Sequence, residues 1–325
     1  MLSNSSKEIL TRKIKAEALR LGFSACGIAP AHEAEQAICF REWLKQGNQA
    51  DMSYMTRHTE KRADPRLLVE GTRSIVSVAL NYYPGQTLPD EEYQIAWYAY
   101  GNDYHDLVRG KLTELLHRVQ AAYPEVQGRA FCDTAPVLER YWAWKAGLGW
   151  IGKNALLILP EGGSCFFLGE LFLNIELIYD QPQKNRCGNC EKCLKACPGG
   201  ALKPNRELDA RKCLSYLTIE HRGELPEHTG PRMGNRIYGC DECQKVCPWN
   251  RFASPCQVPE LQPSPELLNM KKQDWECLTE QKYQQLFRKS AVKRAKFAGL
   301  TRNIQCARNT SSIQKPAPGD TGNGL

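Results

Sequence analysis

The sequence contains no long uninterrupted apolar segment. Its longest apolar stretch, residues 165–179, is broken by Glu170, Asn174 and Glu176, whereas a membrane-spanning helix needs about 20 predominantly apolar residues. Residues 1–20 carry basic side chains among scattered apolar ones, with neither a continuous apolar core nor a twin-arginine pair, so no export signal is indicated. We therefore expect a soluble protein of the reducing cytoplasm that has no membrane partner.

The common nucleotide-binding motifs are not found in the context that they require. No Gly-x-Gly-x-x-Gly follows a predicted strand, so a Rossmann nicotinamide site is not indicated. The nearest glycine-rich segment, residues 147–154, lacks the closing Lys-Ser/Thr of a P-loop. Its backbone amides could cradle the phosphate or amide groups of another cofactor, or the segment could be a tight packing turn.

Cysteine, in contrast, is abundant, with 15 residues. Residues 187–198 read C-x-x-C-x-x-C-x-x-x-C-P, and residues 240–248 read C-x-x-C-x-x-x-C-P. This spacing is typical of proteins that bind two [4Fe-4S] clusters, in which the cysteine before the proline ligates the other cluster. A pair of structural zinc sites is the alternative, because zinc also uses Cys-x-x-Cys pairs.

The second cysteine motif lacks one ligand, because position 237 is Ile237. Cys213 is our candidate for the missing ligand. The spacing then assigns the ligands of cluster one as Cys187, Cys190, Cys193 and Cys247, and those of cluster two as Cys197, Cys213, Cys240 and Cys243.

The first 180 residues alternate predicted strands and helices, which indicates an α+β domain with a sheet and packed helices. Helices are predicted at residues 6–21, 107–122 and 137–146, and strands at 24–28, 74–80, 129–132 and 155–159. We divide the chain into residues 1–180, a cysteine-rich module at 181–255, a short basic helical segment at 256–303 and a disordered tail at 304–325.

The formal net charge is +7, and part of it is concentrated near the C-terminus. Residues 288–303 contain Arg and Lys but no acidic residue. A solvated helix face usually mixes both signs, so this segment indicates a polyanionic partner such as nucleic acid, with a plain basic surface helix as the alternative.

Five sequence segments carry a resemblance to a known family. They are CDTAPVLER at 132–140, GWIGKN at 149–154, SCFFLGE at 164–170, CLSYLTIE at 213–220 and MGNRIYGC at 233–240. Together these segments resemble the epoxyqueuosine reductases, and the resemblance covers roughly residues 7–303. It supports Cys213 as a cluster ligand, because the family takes one from the Cys-x-Ser-Tyr-Leu motif.

The resemblance implies a nitroreductase-like cobalamin-binding domain followed by a two-cluster ferredoxin-like module. The implied cofactors are two [4Fe-4S] clusters and base-off cobalamin, and the implied reaction reduces epoxyqueuosine to queuosine at the wobble position of tRNA. The expected substrates are tRNAs with GUN anticodons (Tyr, His, Asn and Asp), the expected electron source is a low-potential donor, and we expect a monomer.

The resemblance also implies a general acid. Asp133 follows a predicted strand and matches the family position with that role, and burial against the corrin should raise its pKa so that it can donate a proton. The alternative is an Asp that only caps the following helix. His105 is interpreted as structural, because no Asp-x-His-x-x-Gly motif is present to supply a lower cobalt ligand.

Further positions are predicted to line the cobalamin pocket. Trp97 departs from the family pattern, which has Arg there, and Cys165 stands where an aromatic residue is usual. The predicted cofactor-binding residues are Arg57, Trp97, Asp133, Lys153, Ser164, Ser215 and Tyr216.

The predicted tRNA contacts are basic residues that would hold phosphates, which position a nucleic acid without reading its sequence. They are Arg232, Arg236, Lys293, Arg294 and Lys296. Two other functions stay open: a reductive dehalogenase-like enzyme that acts on a small molecule, and a non-catalytic iron–sulfur electron carrier.

Overall fold

The structure, a computed structural model, describes residues 3–313, with side chains for residues 3–309. The strands are β1 (Ala25–Pro30), β2 (Ser74–Asn81), β3 (Gln94–Ile95), β4 (Gly128–Phe131), β5 (Trp150–Ile151), β6 (Leu157–Ile158), β7 (Phe166–Leu173) and β8 (Arg236–Tyr238). The helices of the first part are α1 (Asn4–Arg20), α2 (Gln36–Lys45), α3 (Thr59–Ala63), α4 (Pro65–Leu68), α5 (Tyr104–Ala122) and α6 (Glu139–Lys145).

The later helices are α7 (Lys192–Ala196), α8 (Leu214–Ile219), α9 (Thr229–Met233), α10 (Glu242–Lys245), α11 (Pro265–Leu268), α12 (Lys272–Glu276), α13 (Glu280–Phe287) and α14 (Lys296–Ile313). The fold is therefore mixed helix and sheet. The helices and strands predicted in the first 180 residues are confirmed, except that the strand predicted at 155–159 is only two residues long, Leu157–Ile158.

The main sheet has the strand order β1-β2-β7-β4, and every neighbouring pair is antiparallel. Strand β2 is central and buried along nearly its whole length. Its side chains alternate between two apolar layers, because successive residues of a strand face opposite sides of the sheet. Val76, Val78 and Leu80 join the layer of α1 and α5, whereas Ile75 and Ala79 join the layer of α6.

This arrangement fixes where polar residues of the sheet point. Glu170 of β7 is paired with Ser77 of β2, and it shares the α6 face with Phe172, two residues further along the strand. The carboxylate of Glu170 is therefore enclosed between the sheet and α6, next to the end of β4.

The cysteine-rich segment is tied to the first part of the chain. Strand β8 pairs in parallel with β3, and Trp97 N–H donates to Asp241 Oδ2 at 2.7 Å. A single apolar core joins Tyr93 and Ile95 to Tyr238 and continues into the C-terminal helices through Trp275.

The last helix is longer than predicted. The tail expected from residue 304 is wrong up to residue 313, because α14 continues through Ile313 and buries Ile304 and Ala307. The remaining tail residues, 314–325, lie outside the described residues. Among the helices of residues 3–313, none is both long and apolar enough to cross a bilayer.

Candidate active site

The first group of cysteines lines one cavity of about 240 Å³, which contains Cys187, Cys190, Cys193 and Cys247. The turn is closed by a hydrogen bond from Cys190 N to Cys187 O at 3.0 Å. Burial raises the pKa of Cys193, and the thiols of Cys247 and Cys187 raise it further. The four thiols predicted for cluster one therefore lie together, although they come from two distant segments.

The second group contains Cys197, Cys213, Cys240 and Cys243. Burial raises the pKa of Cys243 well above its usual value, and the other three thiols of this group add to the effect. Ser215 lies beside this group, since its side chain donates a hydrogen bond that lowers the pKa of Cys213. Cys213 and Cys240 also pack against the apolar core.

Both groups suit an iron–sulfur cluster in their donor chemistry. Each offers four thiols, and burial without a positive centre disfavours the thiolate form. Within residues 3–309, no three His, Cys, Asp or Glu side chains surround a point as one metal ion would require. The cysteines form two groups of four instead.

Asp133 lies just beyond the end of β4, in a left-handed conformation with φ of 55°. Such a conformation is strained for a residue with a Cβ. Its Oδ2 accepts a hydrogen bond from the Tyr104 hydroxyl at 2.8 Å and lies 2.9 Å from His105 Nε2. Its backbone N–H donates to Glu139 Oε1. Three partners therefore hold this residue, two at its carboxylate and one at its backbone.

The pKa of Asp133 is set by opposing effects in the protein alone. Its carboxylate side chain is 55% exposed, yet the surrounding protein still partly desolvates it, which raises its pKa. The hydrogen bonds from His105 and Tyr104 lower the pKa by more, so the net shift is downward. In the protein alone, Asp133 is therefore a carboxylate near neutral pH.

His105 lies between two carboxylates. Its Nδ1 is 2.5 Å from Asp103 Oδ1 and its Nε2 is 2.9 Å from Asp133 Oδ2. Burial lowers the pKa of His105, but Asp103 and Asp133 outweigh it and raise the pKa to about 9. Asp103 in turn pairs with Lys293 Nζ at 3.1 Å. At neutral pH His105 is the group of this network that holds a proton, which the sequence interpretation missed.

Two buried glutamates lie behind Asp133. Burial and, after it, the charge of Asp133 raise the pKa of Glu139 to about 8. Burial also raises the pKa of Glu170 well above its usual value, and neither of its side-chain oxygens has a hydrogen-bond partner. Arg62, whose Nε is likewise buried without a partner, is close enough to Glu139 and Asp133 for their charges to act on it.

The other predicted cofactor residues lie in different places. Tyr216 donates its hydroxyl to Asp51 Oδ2 at 2.6 Å, which joins α8 to the loop before Arg57. Arg57 is exposed. Trp97 packs edge-on against Tyr83 at 5.4 Å between ring centroids.

Lys153 and Ser164 lie near the first cysteine group. Lys153 lines the cavity of that group. The backbone N–H of Ser164 donates to Asn250 Oδ1 at 2.7 Å, and Gln244 Nε2 donates to Ser164 O at 3.2 Å. Ser164 thus connects β7 to the second cysteine motif.

Three of the predicted tRNA contacts are engaged within the chain. Lys293 pairs with Asp103, as described above, Arg294 makes two hydrogen bonds to Glu220 at 2.9 and 2.7 Å, and Arg236 pairs with Glu242 at 2.7 Å. Arg232 and Lys296 are exposed. The structure therefore brings Lys293 and Arg294 to the network of Asp133, because Arg294 also lowers the pKa of Asp133.

The chain is similar to known proteins along most of its length. Residues 62–134 match the family described as epoxyqueuosine reductase QueG, DUF1730, and residues 186–250 match the 4Fe-4S double cluster binding domain. An epoxyqueuosine reductase of Cellulophaga algicola is 46% identical over 92% of this chain and 98% of its own length. That of Escherichia coli is 40% identical over 92% of this chain and 80% of its own.

Solved structures of epoxyqueuosine reductases also superpose on this chain. A crystal structure of epoxyqueuosine reductase with an epoxyqueuosine-modified tRNA-Tyr stem loop superposes with a TM-score of 0.86 at 30% identity, covering 92% of this chain and 80% of its own. The Bacillus subtilis epoxyqueuosine reductase superposes with a TM-score of 0.84 at 29% identity, covering 92% and 81%. That structure has its catalytic aspartate loop swung out of the active site.

Proposed function

The chain belongs to the epoxyqueuosine reductase family, and we propose that it reduces epoxyqueuosine to queuosine in the anticodon of tRNA. Two features support this proposal. His105 Nε2 lies 2.9 Å from Asp133 Oδ2, and the pKa of His105 is raised to about 9. The same fold holds two groups of four cysteines. Opening an epoxide to an alkene consumes two electrons and two protons and releases water. The chain has groups suited to both needs.

The residues present suit the implied cofactors. The two cysteine groups would hold the [4Fe-4S] clusters, and the surface around Asp133, with the unpartnered Nε of Arg62 near it, would hold cobalamin. When bound, the clusters supply single electrons and cobalamin supplies a strongly reducing, nucleophilic cobalt. Arg57, Trp97, Lys153, Ser164, Ser215 and Tyr216 remain our predicted cofactor contacts.

Asp133 and His105 act together as the acid. Asp133 is ionised in the protein alone, so it cannot itself bring a proton to the substrate. The proton on His105 Nε2 passes to Asp133 Oδ2, and from this carboxyl group to the epoxide oxygen as the ring opens. Asp103 and Lys293 hold the imidazole in place, and the hydroxyl of Tyr104 holds the carboxylate.

Substrate docking rests on charge and on the modified base. We infer that Arg232, Arg236, Lys293, Arg294 and Lys296 contact tRNA phosphates, which fix the orientation of the RNA. Discrimination then depends on whether a flipped base can reach Asp133. The electron donor is a low-potential carrier, and the working form is a monomer in the cytoplasm.

The test is nucleoside mass spectrometry on epoxyqueuosine-containing tRNA after anaerobic incubation with the loaded protein, cobalamin and a low-potential reductant. We expect loss of one oxygen to give queuosine, only when cobalamin is present. No conversion despite loaded clusters and bound corrinoid would point to a small-molecule reductase. Failure to bind corrinoid would point to an electron carrier.

A further inference from the structure

Four cations surround the first cysteine group. Lys153, Arg186, Lys192 and Arg251 line the same cavity as its four cysteines, and no Asp or Glu does. Arg186, Lys192 and Arg251 are exposed. We name these three residues, with the exposed aromatic ring of Phe252, the cationic rim.

The cations of the rim have no acidic partner among the described residues. Among residues 3–309, none of Arg186, Lys192 and Arg251 forms an ion pair. Arg251 lies over the ring of Phe252, at 4.6 Å from its centroid. Arg186 lies over the ring of Trp150, at 5.7 Å, and donates a long hydrogen bond to the neutral Gln183 Oε1 at 3.4 Å. By contrast, Lys293 and Arg294 have acidic partners. The rim is therefore available to a molecule of opposite charge.

The rim is also where the first cysteine group comes nearest to solvent. Cys190 is exposed, whereas Cys213 and Cys240 of the second group pack against the apolar core. A one-electron carrier must bring its own redox group close to its acceptor, so this cysteine group is the one that an external protein can approach.

We propose that the cationic rim is the docking surface for a small acidic electron-carrier protein that delivers electrons to the first cluster. The proposal rests on the iron–sulfur chemistry of the proposed function. Its partner is defined by charge: an acidic patch around a flavin or an iron–sulfur group. In each transfer the carrier loses one electron and the oxidised cluster gains one, with no bond made or broken.

The chemistry of the rim suits such a partner. Encounters between redox proteins use small interfaces, below about 1,200 Å², in which complementary charges raise the rate of association. Phe252 is 44% exposed and supplies an apolar contact at the edge of the charges. The residues that contact Asp133 are not among those that line this cavity, so a carrier on the rim would leave the substrate side open.

The test compares the loaded full-length chain with the triple variant R186E/K192E/R251E and the milder R186Q/K192Q/R251Q. The probe is a reduced acidic plant-type ferredoxin, and its Kd and salt dependence are measured by calorimetry. R12E/K13E/R129E is the matched control, since it reverses three exposed cations of α1 and β4 that do not line this cavity. Iron content verifies that every variant is loaded.

We expect the glutamate variant to raise the Kd for ferredoxin at least tenfold and to lose most of its salt dependence. Stopped-flow reduction by ferredoxin should slow by 10- to 100-fold, whereas reduction by the methyl viologen radical cation should not slow. The glutamine variant should show a smaller effect in the same direction, and the control variant none.

Three results would overturn the proposal. One is an unchanged ferredoxin Kd in loaded variants. Another is a loss of tRNA affinity instead, which would assign the rim to RNA. The third is a shifted cluster potential with unaltered ferredoxin binding, which would mean that the cations only offset the cluster's own negative charge. Failure of the wild-type chain to bind clusters would instead defeat the proposed function.

Discussion

The imidazole of His105 lies between two carboxylates, and this position bears on the proposed role of Asp133 as an acid. Because the pKa of His105 is raised to about 9, the proton is present at neutral pH and is lost above that value. We expect turnover to fall as the pH rises through about 9. The same pairing stabilises the fold: this contribution is complete below the usual His pKa of about 6.5 and is lost as the pH rises through about 9.

The substitution H105Q tests this role. Glutamine keeps a hydrogen bond to Asp133 but carries no proton to transfer, so we expect turnover to fall by about 10- to 100-fold. The remaining activity should no longer decline near pH 9. A pH–rate profile on protein with matched cofactor content checks both points, and a variant that keeps the alkaline decline would assign it to another group.

Asp133 is tested by D133N, which preserves the shape of the side chain. The introduced amide could still accept hydrogen bonds from Tyr104 and His105, but it could not pass a proton on, and we expect a loss of about 100-fold or more in turnover. Iron and corrinoid content should be unchanged. Full turnover with both cofactors intact would remove Asp133 from the acid role.

Glu139 holds the strained backbone of Asp133 through its hydrogen bond to the Asp133 N–H. E139Q keeps an acceptor at that place, whereas E139A removes it and frees the residue from φ of 55°. We therefore expect E139A to lower turnover by about tenfold and E139Q to have a small effect. Equal losses in the two variants would mean that the carboxyl group of Glu139 matters in some way other than its hydrogen bond to the Asp133 N–H.

The basic segment after α13 holds two pairs of cations with different surroundings. Lys293 and Arg294 pair with Asp103 and Glu220. Arg288 and Lys289 instead line a second cavity of about 290 Å³ that has no acidic residue in its wall, and neither forms an ion pair with a described residue. These two cations are free to bind phosphate.

We expect R288A/K289A to weaken binding of tRNA and to reduce the slope of log K against log salt concentration by roughly two, one for each phosphate contact. K293A/R294A should weaken tRNA binding too, and in addition it should lower turnover at saturating tRNA, because it disturbs Asp103 and the network of Asp133. Filter binding at several salt concentrations and turnover at saturating tRNA, with R12A/K13A as the control, separate the two. A salt slope unaltered in R288A/K289A would exclude this pair as a contact.

The local elements of the first half could be predicted, because their signal is local. Strand β2 has a continuous apolar run, and α5 has apolar residues at helical spacing that are buried in the structure. Motif spacing showed that the second cysteine group lacked one ligand, and the family resemblance supported Cys213 as that ligand. The ion pairs of Lys293 and Arg294 could not be predicted, since their partners, Asp103 and Glu220, are far away in sequence and only the fold brings them together.

The pKa shifts of Asp103, His105 and Asp133 also could not be predicted from the sequence. Asp103, His105 and Asp133 were visible as polar residues near the ends of predicted elements, but the direction of each pKa depends on distances that only the packing of α5 against β4 and β7 sets. The end of α14 was missed for a similar reason: its polar composition resembles a tail, whereas Ile304 and Ala307 are buried by tertiary contacts.

At the scale of the whole molecule, one apolar core joins residues that precede, surround and follow the cysteine motifs. Asn303 of α14 is fully buried and connects the parts: its Nδ2 donates to Thr218 O at 2.8 Å and to Ile237 O at 2.9 Å. These carbonyls belong to α8, which follows Cys213, and to β8, which precedes Cys240. The C-terminal helix thereby supports both loops that supply the second cysteine group.

The substitution N303A should therefore affect the second cluster more than the first. It leaves two buried carbonyls without a donor, which costs about 2 kcal/mol of folding free energy, and it loosens α8 and β8 together. We expect a lower Tm and a loss of up to half of the bound iron, with the remaining signal from the first cluster. Q305A, at an exposed position of the same helix, is the control. Equal loss from both clusters, seen by electron paramagnetic resonance, would show that α14 supports the fold as a whole and not the second site in particular.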